Sequence, residues 1–179
     1  MWVQKSMKRL FLYYMLGFVA GIFYANLLSK AYLSESGIFN EYFLSQYVQT
    51  DINVREYLFY LLQVRLLPLS LLGVIGYTRM RKAAVLFWLG WTGFSSGILS
   101  VASVLKMGIR GAGLCLIGMF PHMLFYGAAY LILIWCLYRY PEVKWNMTKA
   151  AAIVILMGCG ILLEAYVNPQ LIRWFAGLM

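Results

Sequence analysis

Between Lys106 and Tyr138 the sequence reads KMGIRGAGLCLIGMFPHMLFYGAAYLILIWCLY. Its first residues are cationic and glycine-rich (Lys106, Gly108, Arg110, Gly111, Gly113), which predicts a short hairpin turn. The remainder is one apolar run, interrupted once at Phe120-Pro121-His122. About twenty apolar residues cross the hydrocarbon core of a bilayer, and this run is longer than that. Pro121 has no amide proton, and its ring clashes with the carbonyl four residues back, so a helix here kinks or restarts. Inside lipid such a break survives only where neighbouring protein satisfies the freed backbone groups. The run therefore belongs at the centre of a helical membrane bundle, with its break buried against other spans. His122, the only histidine of the chain, sits on that break.

The 179-residue sequence as a whole agrees: 63% of its residues are hydrophobic and 12% are charged. With a mean hydropathy of +0.76, a water-soluble domain of this length is excluded. The expected fold class is all-α, an integral membrane helical bundle forming a single polytopic domain over 1–179. It has about five transmembrane helices, a Pro-broken fourth span and an interfacial amphipathic segment. The net charge of +9 marks cytoplasmic loops and anionic headgroups, not nucleic acid. Cys115, Cys136 and Cys159 all lie in apolar runs with no CxxC spacing. They are expected to be small buried hydrophobes, neither metal ligands nor disulfide partners.

The first span is expected at 10–29, behind Lys5, Lys8 and Arg9. It is too long for the apolar core of a signal peptide and lacks a small-x-small cleavage site, so it is expected to be retained. Its Gly17 and Gly21 form a GxxxG, a face that admits another helix closely. Residues 30–56 are the one substantial polar segment. They hold Glu35, Glu41, Asp51 and Glu56, and Ile38, Phe39, Tyr42, Phe43 and Tyr47 fall near helical spacing. A surface-lying amphipathic helix and a solvated loop with aromatic anchors both fit. The second span, 57–77, contains Arg65 and Pro68, and Arg79, Arg81 and Lys82 come directly after it. The third, 83–105, carries Gly93 and Gly97 in a second GxxxG. The fourth is 112–138 and the fifth 150–167, with Glu164 near its end. Trp174 and Phe175 suit an interfacial helix in the closing NPQLIRWFAGLM.

With five spans and the N-terminus in the cytoplasm, inner segments hold nine cations and outer segments five, Arg65 lying within a span. The bias toward the inside predicts N-in, C-out.

Catalytic signals are thin. The chain has no HExxH, P-loop, GxSxG or paired-carboxylate metal motif, so no enzyme, cofactor or metal is expected. Intramembrane aspartyl proteolysis is excluded, since Asp51 is the only aspartate. A serine–histidine pair would draw on His122, but nothing marks one serine as its nucleophile. Arg65, His122 and Glu164 are the polar side chains expected at membrane depth, where ionisable groups are functional candidates by default. An Arg65–Glu164 ion pair tying the second span to the fifth weighs more than ion or proton translocation. His122 is expected to donate to a carbonyl freed by Pro121.

The order of these features resembles the stage II sporulation protein M family. The similarity rests on the basic N-terminus with one span, the polar outer segment, two spans around a short basic loop and a glycine-containing hairpin. It rests further on LIGMFPHMLFYGAAYLIL, with Phe120-Pro121-His122, and on ILLEAYVNPQLI, where Glu164-Ala165-Tyr166 is followed by Pro169. Gly127 stands where the family pattern has a proline. The resemblance implies a non-enzymatic scaffold that gathers two membrane-anchored peptidoglycan hydrolases, sporulation proteins D and P, for septal wall thinning and engulfment. It makes Arg65, Gly93, Gly97, Pro121, His122, Glu164, Tyr166 and Pro169 the structural or partner-contact candidates. It also implies recruitment through 30–56, 106–113 and 168–179. Besides the hydrolases, the expected partners are the bilayer and a second copy of the chain. A transporter or channel-like subunit, built on the broken fourth span, is the alternative from another class.

Overall fold

A computed structural model describes residues 2–32 and 53–177. The described residues form helices joined by short turns, without strands: α1 (Trp2–Tyr32), α2 (Val54–Gly76), α3 (Arg81–Met119), α4 (His122–Tyr138), α5 (Met147–Leu162), a π-helical turn (Leu163–Val167) and α6 (Asn168–Ala176). Among the described residues, four stretches are long and apolar enough to cross a membrane unbroken: Ser6–Leu27, Val54–Gly76, Arg81–Leu105 and Met147–Ala176. Met107–Met119 with His122–Tyr138 makes a fifth, broken one. The chain is a multi-pass membrane protein by this architecture. Most of the expected segment 30–56, including Glu35, Glu41 and Asp51, lies outside the described residues.

The chain forms two compact units. In the first, comprising 1–49 and Leu86–Cys115, both GxxxG motifs meet each other. A Cβ added to Gly17 or Gly21 would collide with the backbone of Gly90 or Phe94, and one on Gly93 or Gly97 with the carbonyls of Tyr14 or Phe18. Helices without side chains at these points approach to backbone contact, which is how small residues drive association in lipid. Tyr14 Oη and Ser96 Oγ add a hydrogen bond of 3.0 Å across the same seam.

The expected hairpin at 106–113 is tighter than the sequence suggests. The helical trace stops for one residue, Gly108 (φ 58°, ψ −138°), a conformation that only glycine adopts readily. Helix resumes at once, and Gly111 fits against Ser103 and Met107, so the chain turns sharply. The polar residues of 106–113 are thus mostly helical and do not form an extended loop.

The second unit holds Thr50–Val85 and Leu116–Met179. Helix α2 starts at Val54, three residues before the expected span, because Asn53 caps it: its side chain accepts from Arg55 N at 3.2 Å and donates to Glu56 at 3.0 Å. Asn146 caps α5 in the same way, accepting from Thr148 N at 3.0 Å. Helix α4 ends at Tyr138 with Arg139 as its C-cap, ahead of Pro141, which disfavours helical backbone at Tyr140. The buried faces of α4 and α5 pack together: Tyr126, Ala129 and Leu133 from one, Met157, Gly160 and Ile161 from the other. Cys136 is buried as expected, but Cys115 is half-buried and Cys159 is exposed on the lipid-compatible surface of α5.

The closing segment is also corrected. Residues 168–176 do not form a separate interfacial helix but continue the fifth span, so Met147–Ala176 is one 30-residue helical rod. Pro169 lies within it. A proline removes an amide donor and pushes on the carbonyl four residues earlier, here that of Ala165. The backbone answers by widening: Asn168 N donates to Leu163 O, five residues back, the bond of a π turn.

Candidate functional site

The π turn carries Glu164, 6% exposed and on the same stripe of the rod as Ile153, Met157 and Gly160. Facing it from α2 is Arg65, midway along Val54–Gly76. The expected span start put Arg65 about eight residues into its helix; the earlier start places it about eleven residues in, or about 16 Å along the axis. Arg65 Nε donates to Glu164 Oε2 at 3.0 Å and Nη2 donates to Oε1, a bidentate pair. The planar guanidinium matches the carboxylate fork in a way lysine cannot.

Tyr126 of α4 completes the site. Its hydroxyl donates to Glu164 Oε2 at 2.6 Å, and its ring lies 5.0 Å from the Arg65 guanidinium carbon, within cation–π range. Gly160 makes this placement possible. A Cβ there would come within 2.6 Å of the Tyr126 ring, so the absent side chain is the slot that aims the phenol at Glu164, one turn on. Three segments are thereby tied at one carboxylate.

His122 joins the cluster only at its edge. Its Nε2 is 3.9 Å from Glu164 Oε1, beyond hydrogen-bond reach, and its ring meets Tyr126 edge-on at 5.7 Å. Its Nδ1 is buried without a partner. The expected donation to a carbonyl freed by Pro121 is therefore not made. With Phe120 extended and Pro121 capping α4, the break points the buried His122 toward Glu164 instead. Asn168, four residues after Glu164, is buried as well, and its Oδ1 has no partner.

The candidates from sequence thus separate. Arg65, His122 and Glu164 converge, while Pro121 and Pro169 shape the backbone that presents two of them. Gly93 and Gly97 serve the helix seam of the first unit. Tyr166 is 53% exposed and takes no part in the cluster. Tyr126, Gly160 and Asn168 were not singled out by sequence. The signal for two of them was present: Gly160 and Asn168 flank Glu164 at i−4 and i+4, the spacing of one helical face. Among the described residues, no three His, Cys, Asp or Glu side chains gather as a metal ion would require.

No family model, no curated protein and no solved structure matches this chain.

Proposed function

We propose that the chain is a non-enzymatic membrane scaffold that anchors and organises membrane-bound peptidoglycan hydrolases during endospore formation, with its N-terminus cytoplasmic and its C-terminus outside. The observation that carries the scaffold reading is the closure of Arg65, Tyr126 and Glu164 on one another. Glu164 spends both oxygens on these donors, so its charge serves to hold three segments in register. A scaffold needs this rigidity. The hydrolase cargo and the sporulation setting rest on the family resemblance, and the orientation on the cation count.

The test is a mild-detergent pull-down of tagged protein from sporulating cells after crosslinking, with partners identified by mass. Recovery of membrane-anchored peptidoglycan hydrolases supports the proposal. Recovery of a transport ATPase, or of the chain alone, refutes it. A reporter fused at the C-terminus tests the orientation independently, since hydrolases act on the outer side.

A transporter or channel-like subunit is favoured by a different observation. The helix break at Phe120–Pro121 and the π turn bring His122 and Glu164 within 3.9 Å of each other, and His122 Nδ1 and Asn168 Oδ1 are each buried and unpartnered. Discontinuous helices often mark substrate sites in transporters. That reading requires solute flux through reconstituted vesicles that Glu164→Gln abolishes while the protein stays folded.

A further inference from the structure

A second feature of the same unit lies where α2 gives way to α3 and α4 gives way to α5. The α2–α3 turn is held tightly, Thr78 Oγ1 donating to Ile75 O at 2.6 Å and Met80 N donating to Thr78 Oγ1 at 3.2 Å. The Arg81 guanidinium lies 4.0 Å from the centroid of the Tyr140 ring, which joins this turn to the loop after α4. Beneath the contact is a cavity of about 210 Å³. Its buried side is apolar, formed by Leu133 and Leu137 of α4 beside Gly73 and Gly76 of α2. Its rim carries the exposed Tyr77, Tyr140 and Trp145 and the half-buried Arg81.

The two glycines differ in what they do. Gly76 accommodates the Leu137 side chain, whereas a Cβ on Gly73 would meet nothing within 4 Å. The space beside Gly73 is therefore unclaimed by the fold. The cavity as a whole, about 210 Å³, exceeds the ~150 Å³ that accepts a benzene-sized apolar group in an engineered protein.

Charge names the occupant. Residues 77–82 and 139–149 supply Arg79, Arg81, Lys82, Arg139, Lys144 and Lys149 against a single acid, Glu142, and Glu142 pairs with Arg139. An apolar slot under a cationic, aromatic rim, at the end of membrane-spanning helices, fits a molecule with an acyl chain and an anionic head. Basic pockets between transmembrane helices recognise lipid headgroups in this manner, and Tyr and Trp hold the headgroup level. We infer that this cavity is a binding site for one anionic phospholipid, with the start of an acyl chain beside Gly73 and the phosphate at Arg81.

The test uses the full chain purified in a neutral detergent, titrated with phosphatidylglycerol or phosphatidylcholine and read by native mass spectrometry. Wild-type protein retains one phosphatidylglycerol in preference to phosphatidylcholine. One cation near an anionic lipid surface corresponds to about a fivefold effect. Arg81→Gln therefore lowers phosphatidylglycerol retention about fivefold and lowers that of phosphatidylcholine, whose phosphate charge is offset by its choline cation, by less. Gly73→Leu, whose Cβ meets nothing within 4 Å, puts an apolar side chain into the cavity and lowers retention of both lipids. Arg81→Lys keeps the charge and restores the preference, which separates headgroup recognition from the stacking on Tyr140. Equal retention of both lipids by the wild type overturns the inference, as does wild-type retention in Gly73→Leu. Displacement of phosphatidylglycerol by millimolar inorganic phosphate also overturns it, by assigning the site to a soluble anion.

Discussion

Removing the charges of Arg65 and Glu164 one at a time and then together measures what the buried pair does. Arg65→Met strands the Glu164 carboxylate, whose side chain is 7% exposed, with Tyr126 as its remaining hydrogen-bond donor. Breaking a buried ion pair from one side costs about 3–5 kcal/mol, because the surviving charge stays desolvated. Glu164→Gln is milder. The Arg65 side chain is 35% exposed, so it can turn its head outward along its apolar stem, and a cost of about 2 kcal/mol is expected. The double variant leaves no unpaired charge and keeps an amide oxygen for the Tyr126 hydroxyl. Neutral replacements of buried pairs are often tolerated, so its cost is set at roughly 1–2 kcal/mol. The coupling between the two sites is then about 3–6 kcal/mol, against about 0.5 kcal/mol for independent positions.

The assay is reversible unfolding in mixed micelles of rising denaturing-detergent fraction, followed by tryptophan fluorescence. Additivity of the single changes within ~0.5 kcal/mol refutes the strut. Exchanging the charges, Arg65→Glu with Glu164→Arg, sharpens the test. The pocket is built around a carboxylate: the Tyr126 hydroxyl donates into it and His122 stands 3.9 Å away. An arginine at 164 forces the Tyr126 hydroxyl to turn from donor to acceptor and loses the hydrogen bond it makes to a carboxylate. The exchange is therefore expected to rescue less than neutralisation does, and full rescue would show that net charge alone matters.

Tyr126→Phe removes one hydrogen bond to a charged acceptor and lowers stability by about 1.5–3 kcal/mol in the same assay, with a smaller effect when Glu164 is already glutamine. Gly160→Ala pushes a methyl into the Tyr126 ring and costs about 1–3 kcal/mol as overpacking does. In the first unit Gly93→Ala and Gly90→Ala form a matched pair. The former collides with the Tyr14 backbone, whereas the latter adds a Cβ with nothing within 4 Å. Gly93→Ala is expected to destabilise, while Gly90→Ala gains about 0.5–1 kcal/mol from helix propensity. Thermal unfolding of the two proteins under one condition decides the matter, and equal shifts would remove the helix seam from the account.

Much of this fold was legible because lipid allows few choices. Long apolar runs had to become helices, and GxxxG spacing on the first and third spans had to find backbone partners. Arg65 and Glu164, as lone charges of opposite sign among apolar residues, had to find each other or a route to water. The parts that were not legible depend on single-residue geometry. Nothing in KMGIRGAG says that Gly108 alone would turn the chain, since Gly111 and Gly113 offer the same freedom. Asn53 and Asn146 are N-cap residues by type, but the hydropathy boundary a few residues later was the louder signal. Tyr126 was hidden among several aromatic residues on α4, and its role depends on which of them faces Gly160.

The π turn shows the same limit and what it costs to miss it. The fifth span was expected at 150–167, ending just ahead of Asn168-Pro169. Here the rod runs through the proline. The extra residue in the turn at Leu163–Val167 takes up the clash with Ala165, and Glu164 lies inside that widened turn. The ion pair and the proline are therefore one feature. Pro169→Ala would restore a donor to the backbone and gain up to about 3 kcal/mol of helix propensity if nothing else changed. It also removes the reason for the π turn, and closing that turn to an ordinary one rotates Glu164 relative to the helix beyond it by about one residue, some 100°. The variant is accordingly expected to fall well short of that gain and to lose most of the Arg65–Glu164 coupling. A gain near 3 kcal/mol with the coupling intact would mean that the proline merely accompanies the π turn and does not set it.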